Sequence, residues 1–177
     1  MLDLVTVIIP TYNRSKDLKR ALKSVLSQTY KNWEAVVVDN NSTDDTDAML
    51  KDLNDQRIRL LKINNNGVIA ASRNLGIYAS SGKWIAFLDS DDWWTSQKLE
   101  LSVKALEGGA DLVYHDMLLA TKPLQQVFLS RTRTRKLQSP VFKDLIVGGN
   151  AIITSSVIIK KTIFNMIKGF KEDQDLI

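Results

Sequence analysis

Trp84-Ile85-Ala86-Phe87-Leu88-Asp89-Ser90-Asp91-Asp92 joins five apolar residues to three acids in four positions. The apolar run reads as a buried strand that ends at Asp89. Three carboxylates this close repel one another, which costs stability unless a cation sits among them. Oxygen-only ligands of this kind suit Mg²⁺ or Mn²⁺, and those ions favour phosphate oxygens as their remaining ligands. A metal with a diphosphate is therefore the first chemical expectation.

Working outward, the same pattern repeats. Val5 to Pro10 reads as a buried strand, followed by Thr11 and Tyr12. Leu18, Ala21, Leu22, Val25 and Leu26 share one face of an amphipathic helix that begins near Ser15. Ala35 to Val38 is a second buried strand, ended by Asp39. Asn40 to Thr43 is a turn and cap cluster, and Asp44, Asp45 and Asp47 fall where a helix dipole favours acids. Ile58 to Lys62 is a weaker strand and Asn64 to Gly67 a loop. Residues 68–80 read as a helix, with Ile69, Ala70, Leu75 and Ala79 expected on its buried side. Residues 96–107 form another helix and 110–114 another strand.

Strands alternating with helices of this length predict an α/β fold with a mainly parallel sheet and right-handed crossovers. Past Tyr114 the alternation fades: 117–143 reads as irregular, 150–159 as a β segment and 161–167 as a short helix. No linker composition interrupts the chain, so 1–177 is read as one domain. Asp39, Asp89, Asp91 and Asp92, with Thr11 and Tyr12, then lie along one sheet edge, where ligands bind.

Composition narrows the chemistry. The chain has 177 residues, 44% hydrophobic and 25% charged, as in ordinary globular proteins. It has no cysteine and one histidine, His115, which excludes thiolate and multi-histidine zinc sites. The formal charge is +4. Residues 117–143 hold six basic residues and no acid, so the remainder is net −2. No run of about 18 apolar residues occurs, and Met1-Leu2-Asp3 lacks the layout of a secretory signal, so a cytoplasmic setting is expected. Neither a Walker pattern nor G-x-G-x-x-G is present.

Five segments in order carry a resemblance. Val7 to Arg14 with Ser24 to Tyr30, Val37 to Asp44, Asn66-Gly67, Ser72 to Gly76, and Ser81 to Asp92 resemble family-2 glycosyltransferases of the GT-A fold. The resemblance covers residues 4–115 closely and implies a Rossmann-like open, mostly parallel sheet in an α/β/α sandwich. It implies that Thr11, Tyr12 and Asp39 hold a nucleotide base, typically uracil, and that Arg73 lines the donor site. It implies that Asp89-Ser90-Asp91 is a D-x-D motif, with Asp89 and Ser90 at the donor and Asp91 on the metal, Mn²⁺ or Mg²⁺. Residues 1–115 would form the nucleotide-sugar half and 116–177 an acceptor half that stops short of the family's usual length. More loosely, Asn150 to Ile159 with Gly169-Phe170 and Glu172 to Leu176 resemble the segment leading into an acceptor-side E-D motif, which makes Asp173 the candidate general base.

The function so implied is inverting sugar transfer from a nucleotide-diphosphate donor, such as a UDP-sugar, to a saccharide or lipid-linked hydroxyl. A nucleotide-binding module without turnover and a nucleotidyltransferase are the alternatives. The stretch Arg131 to Lys136 reads either as a solvated loop or as a peripheral contact with an anionic membrane; its lack of interleaved aromatics speaks against nucleic acid. Trp93 and Trp94 could shape a sugar pocket, though at least one is expected in the core. His115 reads equally as a site residue and as a structural histidine.

Overall fold

The computed structural model describes residues 2–120, 129–132 and 134–173. Strands β1 (Val5–Thr11), β2 (Trp33–Asp39), β3 (Ile58–Lys62) and β4 (Trp84–Phe87) alternate with helices α1 (Ser15–Leu26), α2 (Thr46–Leu53) and α3 (Ile69–Ala79). Helix α4 (Lys98–Glu107) and strand β5 (Leu112–Val113) complete the alternating part. A ribbon of β6 (Met117–Ala120) and β7 (Leu129–Thr132), helix α5 (Val141–Gly148), a 3-10 turn (Thr154–Ser156), β8 (Ile158–Lys160) and helix α6 (Lys161–Ile167) follow. Residues 117–143, expected to be irregular, thus contain a two-stranded ribbon and the start of a helix. Of the β segment expected over 150–159, only its end is strand.

The main sheet has the order β3-β2-β1-β4-β8-β5. The β3-β2-β1-β4 pairs are all parallel, while β8 runs antiparallel to both neighbours. Strand β5 is therefore parallel to β4, and its C-terminal end emerges at the same edge as Asp89. The sequence predicted the parallel part because continuous β-branched runs need cover on both faces.

That cover makes three layers. Val5, Val7, Ile9, Val37 and Ala86 face Leu18 and Leu22 of α1, Met49 of α2, and Leu99 and Val103 of α4. Ile8, Val36, Val38, Ile85 and Phe87 face Ile77 of α3 and Phe164 of α6. Alternate residues of each strand thus feed the two cores. Trp94 is buried on the first face, whereas Trp93 is 42% exposed.

Helix α3 departs from its expected packing. Ser72, Asn74, Gly76 and Ile77 are its buried residues, and Ile69 lies exposed. The cause is close approach. A Cβ on Gly76 would stand 2.7 Å from Ile8 Cγ2, so the helix meets β1 at Gly76, while Leu75 packs half-buried against the same core.

Lys98 opens α4 with its side chain buried, its Nζ 3.2 Å from the Ser156 carbonyl and 4.7 Å from the Trp94 ring centre. Burial pushes its ammonium down to about 7, from an ordinary 10.5. Between those values the unfolded chain binds more protons than the folded one, so stability rises with pH across that window. The expected slope is at most about 1.4 kcal/mol per pH unit. Urea unfolding at a series of pH values, in the parent and in Lys98→Met, should show this slope in the parent and its loss in the variant.

Candidate active site

The C-terminal ends of β1, β2 and β4 converge because the strands are in register there. Thr11 stands opposite Asp39, and the Leu88 amide donates to the Ile8 carbonyl. A cavity of about 390 Å³ opens at this edge, in the size range of small-ligand sites. Thr11, Tyr12, Arg14, Asn40, Ser72, Asp89, Ser90 and Asp91 are among the residues that line it.

The turn after β1 is built from local polar contacts. Asn13 adopts φ +50°, its amide donates to Ser42 Oγ, and its Oδ1 accepts from the Thr43 amide. Asp44 accepts from the Ser15 amide at 2.8 Å. Asp44 therefore staples the start of α1, and it also accepts from the amide and hydroxyl of Thr46, the first residue of α2. These contacts place Tyr12 on the cavity wall with its ring 56% exposed. Thr11 Oγ1 is buried beside it and has no hydrogen-bond partner among the described residues, an atom a ligand could satisfy.

Asp39 is fully buried. Its carboxylate accepts from the Ser42 amide and hydroxyl and from Lys62 Nζ at 2.9 Å. Bonds to Asp47 and Asp39 hold the Lys62 ammonium above its ordinary value. Asp39 thus sits behind the wall, and its neighbour Asn40 lines the cavity. Asn40 Oδ1 accepts from the Asn65 amide, and Asn65 Nδ2 donates to Ser72 Oγ at 2.7 Å, closing the far wall.

The acids after β4 each meet a different partner. Asp89 pairs with Arg73 at 2.8 Å, and its amide donates to Ser155 Oγ. Asp91 pairs with Arg14, both side chains being half exposed. Arg20 donates to the Asp91 carbonyl at 2.6 Å and lies 4.2 Å over the Trp93 ring. Burial pushes the Asp92 carboxyl up, the Ser155 hydroxyl pulls it back, and the charges of Asp91 and Asp89 push it further up. Arginines therefore supply part of the cationic compensation that the sequence demands. Among the described residues no group of three or more acids or histidines converges to hold a metal by itself. One exposed carboxylate on a pocket wall, Asp91, still fits a hard divalent ion that takes its other ligands from phosphate and water.

The segment 170–173, read from sequence as the acceptor side, comes close through helix α3. Asn74 bonds Phe170 and Glu172, and the Phe170 ring packs 5.5 Å from Phe87 and 5.9 Å from the Arg73 guanidinium. Asp173 follows Glu172 and is exposed, outside the cavity wall. His115 is half-buried: Nδ1 lies 2.8 Å from the Asp116 carbonyl, and Nε2 is buried without a partner. Burial pushes its imidazole down. Of the basic stretch 131–136, Arg133 lies outside the described residues and Arg135 pairs with Asp144.

Arg14, Arg20, Asn40 and Asn65 had no role from sequence. Each lies in a motif or beside one, but only the fold turns its side chain toward the acids or the cavity.

An open α/β sheet with an acid-bearing pocket at its strand ends is the architecture of a GT-A glycosyltransferase domain. The chain belongs to Glycosyl transferase family 2, whose pattern matches residues 6–155. It is similar to the Escherichia coli UDP-Glc:alpha-D-GlcNAc-diphosphoundecaprenol beta-1,3-glucosyltransferase WfgD, with 41% identity over 103 residues, 58% of this chain and 41% of that protein. The fold is like that of Staphylococcus aureus TarS 1-349 in complex with UDP, at TM-score 0.72 and 22% identity, covering 95% of this chain and 50% of TarS 1-349. It is also like the Pyrobaculum calidifontis mannosyltransferase PcManGT in complex with GDP-Man and Mn²⁺, at TM-score 0.66 and 22% identity, covering 96% of this chain and 48% of that one. The chain thus spans half or less of the length of these proteins.

Proposed function

We propose that this chain carries the donor site and candidate base of an inverting glycosyltransferase. The donor is a nucleotide-diphosphate sugar, a UDP-sugar on our reading. The acceptor is a saccharide or lipid-linked hydroxyl in surface polysaccharide or glycolipid synthesis, at the cytoplasmic face of the membrane. The observation that carries this reading is the convergence of Tyr12, Arg14, Asp89 and Asp91 on one cavity of about 390 Å³.

Each residue has a task. The exposed Tyr12 ring stacks on the base. The free Thr11 Oγ1 bonds the nucleoside, and the buried Asp39 fixes the corner that receives the base. Asp89, oriented by Arg73, faces the ribose. Ser90 lies between the two acids and lines the donor pocket. Asp91 would hold Mn²⁺ or Mg²⁺, and such an ion, when bound, offsets charge on the diphosphate. Arg14 adds cationic charge on the same wall. Asp173 takes the proton from the acceptor hydroxyl as its oxygen bonds the anomeric carbon and the bond to the phosphate oxygen breaks, leaving a nucleoside diphosphate.

WfgD is named for a lipid-diphosphate acceptor, which supports an acceptor of that class here. Helix α5 leaves Phe142, Ile146 and Val147 exposed, with Lys143 among them, and this supports peripheral contact with an anionic membrane near the 131–136 stretch. Among the described residues no helix is long and apolar enough to cross a membrane.

The test is calorimetric titration of UDP into the 177-residue chain with Mn²⁺ and with a chelator. Binding at least tenfold tighter with Mn²⁺ is expected. Equal binding in both would overturn the metal–diphosphate reading, and release of pyrophosphate rather than UDP in turnover would favour a nucleotidyltransferase.

A further inference from the structure

We propose that Asn74 is a positioning residue that holds the Glu172–Asp173 segment against the donor site. The inference rests on the reading of Asp173 as base and deepens it.

Asn74 is 4% exposed and uses both ends of its amide on one distant segment. Its Oδ1 accepts from the Phe170 amide at 2.8 Å. Its Nδ2 donates to the Phe170 carbonyl at 2.9 Å and to Glu172 Oε1 at 2.6 Å. These contacts join positions 96 and 98 residues apart. A buried primary amide with every bond directed at one strand of chain fixes that strand's position and direction, because each bond constrains a different atom.

The chain is shaped to meet it. Lys168 and Gly169 both have positive φ, and a Cβ on Gly169 would stand 2.6 Å from Asn74 Oδ1. Only glycine passes there without moving the amide. Phe170 then locks between Phe87 and Phe164, at 5.5 and 5.3 Å between ring centres.

The neighbour of Asn74 supplies the functional link. Arg73 holds Asp89 at 2.8 Å, so consecutive residues of α3 grip the donor acid and the acceptor segment. Glu172 is spent on Asn74, which leaves Asp173, exposed and next in the chain, as the carboxylate presented to an acceptor.

Asn74→Asp tests this. The near-isosteric acid cannot donate to the Phe170 carbonyl or to Glu172, and it sets a second carboxylate beside Glu172, so repulsion drives the segment away and breaks the bond from the Phe170 amide. Adding Glu172→Gln restores one bond in reversed sense, the introduced amide donating to the introduced carboxylate. Hydrogen exchange at the Phe170 amide should quicken at least tenfold in Asn74→Asp and recover in the double variant, with circular dichroism confirming that all forms are folded. Unchanged exchange would overturn the proposal without any reference to metal or turnover. The second readout is paramagnetic broadening of the Asp173 signals by Mn²⁺ with UDP. It should be present in the parent, lost in Asn74→Asp at unchanged UDP affinity, and regained in the double variant. Broadening that persists in Asn74→Asp would also sink the proposal. Absence of broadening in the parent, with Phe170 exchange still dependent on Asn74, would instead overturn the assignment of Asp173 as base.

Discussion

Asp91→Asn is expected to abolish the Mn²⁺ enhancement of UDP binding and to lower sugar transfer by about 10²- to 10³-fold, the scale set by losing one preorganised electrostatic contact to the departing group. The argument is geometric. Asp89 is committed to Arg73, and Asp92 is partly buried and pushed toward its neutral form. Of the two described acids that line the cavity, Asp91 presents the half-exposed carboxylate, and its partner Arg14 is equally exposed. An exposed ion pair of this kind is worth about 0–1 kcal/mol, so Tm should hardly move. That separates loss of function from loss of fold. Calorimetry with UDP and a UDP-release assay decide the matter. A variant that keeps both the metal response and the turnover would place the metal elsewhere.

The second large effect is expected at Asp173. Asp173→Asn should lower transfer by about 10²- to 10⁴-fold, the usual contribution of a positioned general base. UDP affinity should stay within about twofold of the parent, because Asp173 lies outside the cavity wall and makes no hydrogen bond or ion pair to the donor residues among the described residues. The amide cannot take up the acceptor proton, so the loss should fall on turnover and not on donor binding. Initial rates with UDP release as the readout, beside calorimetry with UDP, check both points. An undiminished rate would assign the base to another group on the acceptor side.

The donor half was legible because its information is local. Apolar runs ended by Thr11, Asp39 and Asp89 already state where the strands stop and which edge collects the polar groups. The identity of the partners was not local. That Arg14 and Arg20 reach back to Asp91 depends on the crossing of α1 over the end of β4, more than 70 residues away in sequence. The packing of α3 was legible only in part, because periodicity rewards large apolar residues: Leu75 does pack on the core, but the helix approaches β1 at Gly76. The 117–143 segment was read as irregular because a ribbon strand such as Leu129-Ser130-Arg131-Thr132 carries too weak an alternation to register. The route of the chain through residues 150–160 was beyond any local pattern, since its one short strand pairs with residues 84–86 and 112–113.

That short strand has a consequence for how the molecule is assembled. Because β8 lies between β4 and β5, the strand latest in sequence of these six fills an interior position rather than the rim. During synthesis β4 waits with an open hydrogen-bonding edge until residue 160 has emerged, and β5 has no strand to join. Residues 1–115, although continuous in sequence, are therefore not expected to fold as a separate unit. A chain cut near residue 115 would expose β4 along its length, the kind of bare edge that recruits other chains. The two halves proposed for donor and acceptor thus share one sheet.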